Sequence, residues 1–162
     1  MLKIRRATES DAECANEIYN LARQYMKDSG NPDQWSGEYP GIFDIVKDIA
    51  DGSSYVCTDG EEIVGVFHFH IGKDESYDMI YDGNWLCDGE YGVIHRIAVK
   101  YHGKGIADFI YSECSKLARD IRIDTHKSNI PMQKSLKKNG FVYAGVIHLP
   151  SGDERLAFQK LV

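Results

Sequence analysis

The sequence predicts an α/β (α+β) fold in which a mixed, twisted central sheet of about six to seven strands is flanked by about four helices. Two observations favour this fold. Short apolar segments with strand character alternate with segments whose apolar residues recur at helical spacing. Between residues 93 and 125, a strand, a helix and a strand follow with short joins, which indicates a parallel pair with a right-handed crossover. The 162 residues fit one domain over residues 1–162.

The elements follow one another without a linker, a repeat or a low-complexity tract. Strands are predicted at Leu2–Arg6, Ser54–Thr58, Ile63–Ile71, Val93–Val99, Ile121–Thr125, Phe141–Leu149 and Arg155–Leu161. Helices are predicted to begin after Thr8, at Pro40, after Gly105 and near Asn129. Turn sequences at residues 59–62 and 150–153 join two strand pairs as hairpins, so the sheet is expected to be mixed.

Charge and hydropathy exclude several classes of partner. The 19 Lys and Arg residues against 25 Asp and Glu give a net charge of −6, which argues against a non-specific nucleic-acid binder and against adhesion to an anionic membrane. No apolar run approaches the ~20 residues of a membrane-spanning helix. The N-terminus becomes acidic before a hydrophobic stretch develops, so no secretory signal is expected.

The cysteines and histidines indicate no metal site. The four cysteines are widely spread, without a C-x-x-C pair, and are expected to be reduced thiols of a cytoplasmic protein. His68 and His70 alternate on one strand face as a metal pair does, but no third ligand is evident. Packing against the sheet is therefore the favoured interpretation.

A glycine-rich turn is the first feature that carries chemistry. Gly103, Lys104 and Gly105 separate a predicted strand from a predicted helix. Free N–H groups at such a helix start bind phosphate, although an ordinary connecting turn is the alternative. Asp108 stands where the dinucleotide fingerprint needs a glycine, and Gly105 stands where a P-loop needs Ser or Thr.

The segment from Ile97 to Ala107 resembles the acetyl-CoA signature of the GNAT N-acetyltransferase superfamily. That signature is Arg or Gln, two residues, Gly, one residue, then Gly or Ala, after a strand that ends in Ala-Val. His102 replaces the Arg or Gln, while Gly105 and Ala107 match. A second likeness lies at Asn129, Met132 and Gly140-Phe141, and the order of elements fits almost the whole chain.

The resemblance implies that acetyl-CoA is the cosubstrate and that its acetyl group passes directly to the primary amine of a small molecule. It implies that the backbone amides of residues 102–107 bind the diphosphate of coenzyme A and that the pantetheine arm runs along the backbone of residues 97–99. It also implies that Asn129 lies near the thioester. The implied cosubstrate-binding residues are Ile97, Ala98, Val99, His102, Gly103, Lys104, Gly105, Ile106, Ala107 and Asn129. The cosubstrate is expected between the splayed strands 93–99 and 121–125, and a homodimer is possible because dimers are common in the superfamily.

Proton transfer is expected to involve a histidine. An alkyl ammonium must lose a proton before it attacks, and His95 is the leading candidate base, with a buried structural histidine as the alternative. Glu90 is the second candidate base, although a solvated loop carboxylate is the commoner role. Many members of the superfamily use a tyrosine as the general acid that protonates the leaving thiolate, and Leu136 occupies that position here. His126 and Tyr143 are therefore candidates for a substitute acid.

The acceptor is expected to be cationic. The acidic loop from Gly72 to Gly92 also carries aromatic residues, including Tyr81 and Trp85, and the early loop offers Trp35 and Tyr39 as an opposite wall. Such walls attract an amine, an amino acid or a polyamine, although a solvated loop is the plainer interpretation. Two alternatives stay open: acetylation of a protein N-terminus or lysine, and a non-catalytic acyl-CoA-binding module.

Overall fold

A computed structural model describes all residues, 1–162. The strands are β1 Leu2–Arg6, β2 Ser54–Asp59, β3 Glu62–Ile71, β4 Gly92–Val99, β5 Asp120–Thr125, β6 Val142–His148 and β7 Glu154–Leu161. The α-helices are α1 Ala12–Asp28, α2 Ile42–Ala50, α3 Ile106–Ser115 and α4 Ile130–Lys138. Short 3-10 turns lie at Glu9–Asp11 and Glu75–Tyr77. No helix is both long enough and apolar enough to cross a membrane.

The seven strands form one mixed sheet in the order β1-β2-β3-β4-β5-β7-β6. Only β4 and β5 run parallel, and α3 connects them. They pair only at Gly92 with Ile121 and at Val93 with Arg122, whereas β5 pairs with β7 along its whole length. The two parallel strands therefore separate after Val93 and leave a gap inside the sheet. The mixed sheet with four flanking helices confirms the predicted fold.

The helices cover the two faces of the sheet. On one face, Ile18 of α1 and Ile45 of α2 share a buried cluster with Val56, Val66 and Ala98. Burial of each such aliphatic side chain contributes about 1.5–3 kcal/mol, so this cluster holds α1 and α2 against the strands.

The opposite face carries α3 and α4. Ile110 of α3 and Leu136 of α4 belong to one fully buried cluster with Ile94, Ile123 and Phe158. Because these side chains come from β4, β5 and β7, the cluster spans the strands on either side of the gap. The helices therefore fasten the separated strands from one face, and the other face of the gap stays accessible.

Of two predicted helix starts, the structure confirms one and contradicts the other. Thr8 is confirmed as a cap, since its backbone N–H donates to Asp11 at 2.7 Å, although a 3-10 turn precedes α1. The prediction that Pro40 opens the second helix is wrong, because α2 begins at Ile42 with Gly41 as its N-cap. The Gly41 N–H donates to the Asp44 carboxylate at 2.9 Å, which sets the start of the helix there.

Candidate active site

A cavity of about 410 Å³ opens where β4 and β5 separate. Its lining comes from segments far apart in the sequence: the loop before α2, the 3-10 turn after β3, strands β4, β5 and β7, and the start of α4. The polar side chains of the lining include Gln34, Tyr39, Asp74, His95, Asp124, Asn129 and Arg155. The cavity therefore combines carboxylates, a histidine and two arginines in one open cleft.

His95 lies between two carboxylates. Its Nε2 is 2.6 Å from Asp74 Oδ2, and its Nδ1 is 3.7 Å from Asp124 Oδ1. The His95 side chain is 25% exposed, so solvent or a ligand reaches it. Asp124 in turn accepts a hydrogen bond of 2.6 Å from the Tyr77 hydroxyl. This arrangement fixes the imidazole ring and surrounds it with groups that stabilise a positive charge.

Asp74 is the anion of this pair. Burial raises the pKa of the Asp74 carboxyl, but the hydrogen bond and charge of His95 and the N–H of Ser76 outweigh it, so the net pKa lies below the usual value. Because Asp74 is a carboxylate at neutral pH, the proton of the short hydrogen bond lies on His95 Nε2. The lone pair of neutral His95 is then on Nδ1, on the side of Asp124.

A bulge shapes β4 next to His95. Arg96 has a left-handed backbone with φ of 49°, and the pairing of β3 with β4 shifts register at Val66/His68. Such a conformation costs about 1–2 kcal/mol for a residue other than glycine. The Tyr19 hydroxyl donates to the Arg96 carbonyl at 2.8 Å, and Arg96 Nη2 donates to Asp48 at 2.5 Å. These contacts offset the strain and hold the bulge that directs His95 towards the cavity.

The loop after β4 presents main-chain donors. Gly105, the N-cap of α3, has φ of 73°, a left-handed conformation that glycine adopts at little cost. The backbone N–H groups of residues 105–108 donate no hydrogen bond within the protein. Lys104, Lys134 and Lys138 line the adjoining cavity of about 520 Å³. Free amides at a helix start, with lysines around them, fit the diphosphate of a nucleotide-linked donor.

An apolar channel of about 130 Å³ joins the two cavities. Ile97, Asn129 and Met132 line both the channel and the 410 Å³ cavity, while Val99 and Ala107 line both the channel and the lysine-rich cavity. β5 makes no pairs with β4 beyond Val93, so this part of β4 is free for an extended ligand. The three spaces form one continuous cleft through the gap in the sheet.

Two side chains close to the channel have defined partners. The His102 ring stacks on Tyr25 of α1, with ring centroids 3.7 Å apart, and burial lowers the pKa of His102. Asn129 Oδ1 accepts from the Met132 N–H at 3.2 Å, and Asn129 Nδ2 donates to Gln34 at 2.8 Å. An amide nitrogen carries two N–H groups, so one of those on Asn129 is left for a ligand.

Several predicted site residues lie in the cavity, and others do not. Trp35 and Tyr39 line it with His95, and Trp35 is held edge-on against Tyr19. Glu90 is an exposed loop residue outside the lining. His126 lines a neighbouring cavity, where its Nδ1 accepts from the Ser128 N–H at 3.1 Å.

The two aromatic residues predicted on the acidic loop are also outside the cavity. The Tyr81 backbone bridges Val146 of β6, and its ring stacks on His148 with centroids 4.9 Å apart. Trp85 donates to the Tyr77 carbonyl at 2.9 Å and covers the Arg122 guanidinium. These contacts fasten the loop across β5–β7, so neither ring lines the cavity that holds His95. The candidate acid Tyr143 is likewise exposed and bonded to Asp82 at 3.0 Å.

The sequence did not single out the partners of His95. Asp74 is one acidic residue among several in its loop, and the sequence assigns Asp124 no catalytic or binding role. Arg155 follows a turn and Gln34 lies in a loop. Only the long-range pairing of strands brings these residues together, and no spacing in the sequence reveals it.

His68 and His70 contact each other: His68 Nε2 lies 2.9 Å from His70 Nδ1. Burial lowers the pKa of His70, and the neighbouring His68 and His95 lower it further. No three His, Cys, Asp or Glu side chains are arranged to hold a metal ion.

Comparisons with known proteins identify a family and several similar structures. The model of the acetyltransferase (GNAT) family matches residues 15–141. A GNAT-family acetyltransferase from Streptococcus agalactiae 2603 is 33% identical, with a TM-score of 0.92 over 99% of this chain and 95% of that one. A putative acetyltransferase from Staphylococcus aureus Mu50 is 27% identical, with a TM-score of 0.68 over 98% and 97%. No curated protein sequence matches.

A more distant likeness concerns the fold alone. The paia N-acetyltransferase from Thermoplasma acidophilum, solved in complex with coenzyme A, is 14% identical, with a TM-score of 0.71 over 100% of this chain and 99% of that one. The chain belongs to the GNAT family of acetyltransferases, which uses an acyl-CoA as its donor.

Proposed function

We propose that this protein transfers the acetyl group of acetyl-CoA directly to the primary amine of a small molecule, with His95 as the general base. The observation that carries the proposal is His95 held between Asp74 and Asp124, in a cavity that continues into the channel along β4. A concave cavity with convergent polar groups is typical of a small-molecule site.

His95 Nδ1 takes the proton that the acceptor ammonium must lose. The lone pair of the resulting amine attacks the thioester carbonyl carbon and forms a tetrahedral intermediate. The attacking nitrogen then loses a second proton, to solvent or to the departing sulfur, as the carbon–sulfur bond breaks, so an amide and coenzyme A are released. The imidazolium that forms lies between the carboxylates of Asp74 and Asp124, which stabilise it. The same carboxylates attract the cationic acceptor before the proton is lost.

Acetyl-CoA supplies the activated acyl carbon. The amides of residues 102–107, from His102 to Ala107, are proposed to bind its diphosphate, and the backbone of Ile97, Ala98 and Val99 its pantetheine arm. Support comes from the free N–H groups at the start of α3 and from the unpaired edge of β4. Asn129 is proposed to contact the arm through its remaining amide N–H.

The leaving group needs no dedicated tyrosine in this proposal. Leu136 is fully buried in the core, so the position of the usual acid faces away from the cleft. A thiol with a pKa of about 8.5 is a tolerable leaving group as the thiolate. The proton taken by His95 is then released to solvent or to the departing sulfur.

The experiment is release of the coenzyme A thiol from acetyl-CoA in the presence of small amines, amino acids, polyamines and peptides. The proposal expects turnover with a subset of the small acceptors. Turnover with peptides or protein lysines alone would replace it with protein acetylation. Calorimetric binding of acetyl-CoA without turnover of any acceptor would favour a non-catalytic binding module.

We also infer a cytoplasmic location and no resident metal. All four cysteines are free thiols, and Cys57 and Cys114 are buried in the core. A reducing compartment keeps such thiols from oxidation. A homodimer stays a prediction, checked by light scattering at micromolar concentration.

A further inference from the structure

We propose that the acceptor carries a carboxylate beside its amine, as an α-amino acid does, and that Arg155 binds that carboxylate. This inference rests on the proposed function, because it places the acceptor amine at His95. It narrows the acceptor from primary amines in general to zwitterions. It also gives Arg155 a specificity-determining role.

Arg155 is a buried cation without a carboxylate partner. The residue is 7% exposed, and its two terminal nitrogens donate only to backbone carbonyls, to Glu154 at 3.0 Å and to Gln34 at 3.2 Å. Arg96, the other arginine of the cavity lining, is neutralised by Asp48 at 2.5 Å. A buried guanidinium is costly without an anion, so the cavity is built to receive one from a ligand.

The sheet places this cation next to the proposed base. In the pairing of β5 with β7, Asp124 is opposite Ala157, and Arg155 lies two residues further along β7 on the same face. Such diagonal neighbours are about 7–8 Å apart. Because His95 contacts Asp124, one end of the acceptor space is anionic and the other is cationic. This separation suits a small zwitterion whose amine faces Asp124 and whose carboxylate faces Arg155.

The anion for Arg155 is not a phosphate of the donor. Arg155 lines both the cavity of His95 and the neighbouring cavity of His126, and neither shares a lining residue with the cavity beside Lys104, Lys134 and Lys138. The apolar channel separates that lysine-rich cavity from the cavity of His95. The guanidinium fork also matches a planar carboxylate through two parallel hydrogen bonds. A plain amine or a polyamine offers Arg155 only a like charge or an apolar group, so these acceptors leave the cation unpaired.

The first test compares matched acceptors. Thiol release is measured with each common amino acid, with its amide, and with the corresponding amine that lacks the carboxylate, such as leucine, leucinamide and isoamylamine. The inference expects one or more amino acids to be acetylated with a higher kcat/KM than the amide and the amine. Equal or better turnover of the carboxylate-free acceptors would overturn it.

The second test compares Arg155→Gln and Arg155→Lys with Arg119→Gln, an exposed arginine on the connection between α3 and β5. Arg155→Gln is expected to raise KM for the amino acid by about 10- to 100-fold, the range for losing a charged hydrogen-bond partner, with little change in kcat. KM for the matched amine is expected to change less than about twofold. Arg155→Lys should recover part of the loss, and Arg119→Gln should match the parent protein.

The outcomes separate the two proposals. If Arg155→Gln impairs amine and amino acid equally, Arg155 has a structural role only, and this inference fails while the proposed function stands. If no acceptor is acetylated, the proposed function fails, and calorimetry with the coenzyme A complex decides the inference. Heat on adding the amino acids, absent for their amides and absent in Arg155→Gln, supports the carboxylate site; no such difference overturns it.

Discussion

The two ends of the cleft hold charge by different means. At the donor end, a single stretch, residues 101–108, presents free main-chain N–H groups, and Lys104 of this stretch lines the same cavity as two lysines of α4. At the acceptor end, side chains from separate elements line one cavity, and some of them contact one another. They include Asp74, His95, Asp124 and Arg155. The donor end therefore depends on local backbone conformation, and the acceptor end depends on the tertiary fold.

This difference predicts that the two ends fail in different ways. A substitution at the donor end is expected to act on the affinity for acetyl-CoA and to spare the chemical step. A substitution at the acceptor end is expected to act on proton transfer or on the acceptor and to spare acetyl-CoA binding.

His95→Ala is expected to lower kcat by about 10²–10⁴-fold, because it removes the general base. The affinity for acetyl-CoA, measured by calorimetry, is expected to be unchanged. The control is His148→Ala, a half-exposed histidine outside the cavity that pairs with Glu154. A kcat of His95→Ala within a few-fold of the parent protein across pH 6 to 9 would remove His95 from the mechanism.

Asp74→Asn is expected to lower kcat by about 10- to 100-fold, since His95 loses a charge-assisted hydrogen bond and its imidazolium loses a neighbouring anion. The same measurement on Asp78→Asn, an exposed residue of the same loop, provides the control. A kcat of Asp74→Asn within a few-fold of the parent protein would contradict a positioning role for Asp74.

Gly105→Ala tests the donor end against a matched glycine. Gly105 and Gly60 both have a left-handed backbone, with φ of 73° and 62°, and an added Cβ meets nothing within 4 Å at either. Both alanine variants are expected to lose about 1–2 kcal/mol of stability from backbone strain. Only Gly105→Ala is expected to raise KM for acetyl-CoA, by roughly tenfold. Equal KM values for acetyl-CoA in the two variants would show that the loop at Gly105 does not bind the donor.

His70 gives the smallest predicted effect, a change in the pH dependence of stability. Burial and the neighbouring histidines lower the pKa of His70 in the folded protein, while the nearby Asp74 opposes them. Below about pH 6.5, the ordinary histidine value, the unfolded chain binds more protons at this position, so stability falls as pH falls. His70→Asn is expected to flatten this decline in urea titrations between pH 7 and 5. His148→Asn, the exposed control, should retain it.

The fold was largely predictable from the sequence, because each element is specified locally. The hairpin turns and the cap at Thr8 stand in the sequence beside the segments that they organise, and the glycines after β4 show where α3 begins. Pro40 misled the prediction, because Gly41 and Asp44 together define a better helix start two residues later. Local rules identify helix starts but do not rank two competing ones.

The acceptor end was only partly predictable. His95 lies next to a recognisable signature, and Trp35 and Tyr39 reach the cavity. Tyr81 and Trp85 do not, because the acidic loop folds over β5–β7 and uses their rings as anchors. Which loop residue faces the cavity depends on this tertiary packing, and the composition of the loop alone does not predict where a side chain points.

The most direct test is a crystal structure with coenzyme A bound. The diphosphate is expected within hydrogen-bonding distance of the N–H groups at the start of α3, and the pantetheine arm is expected between β4 and β5. The sulfur should end in the cavity that holds His95. A nucleotide bound on another face of the sheet, or an arm that leaves the space between the two strands empty, would contradict it.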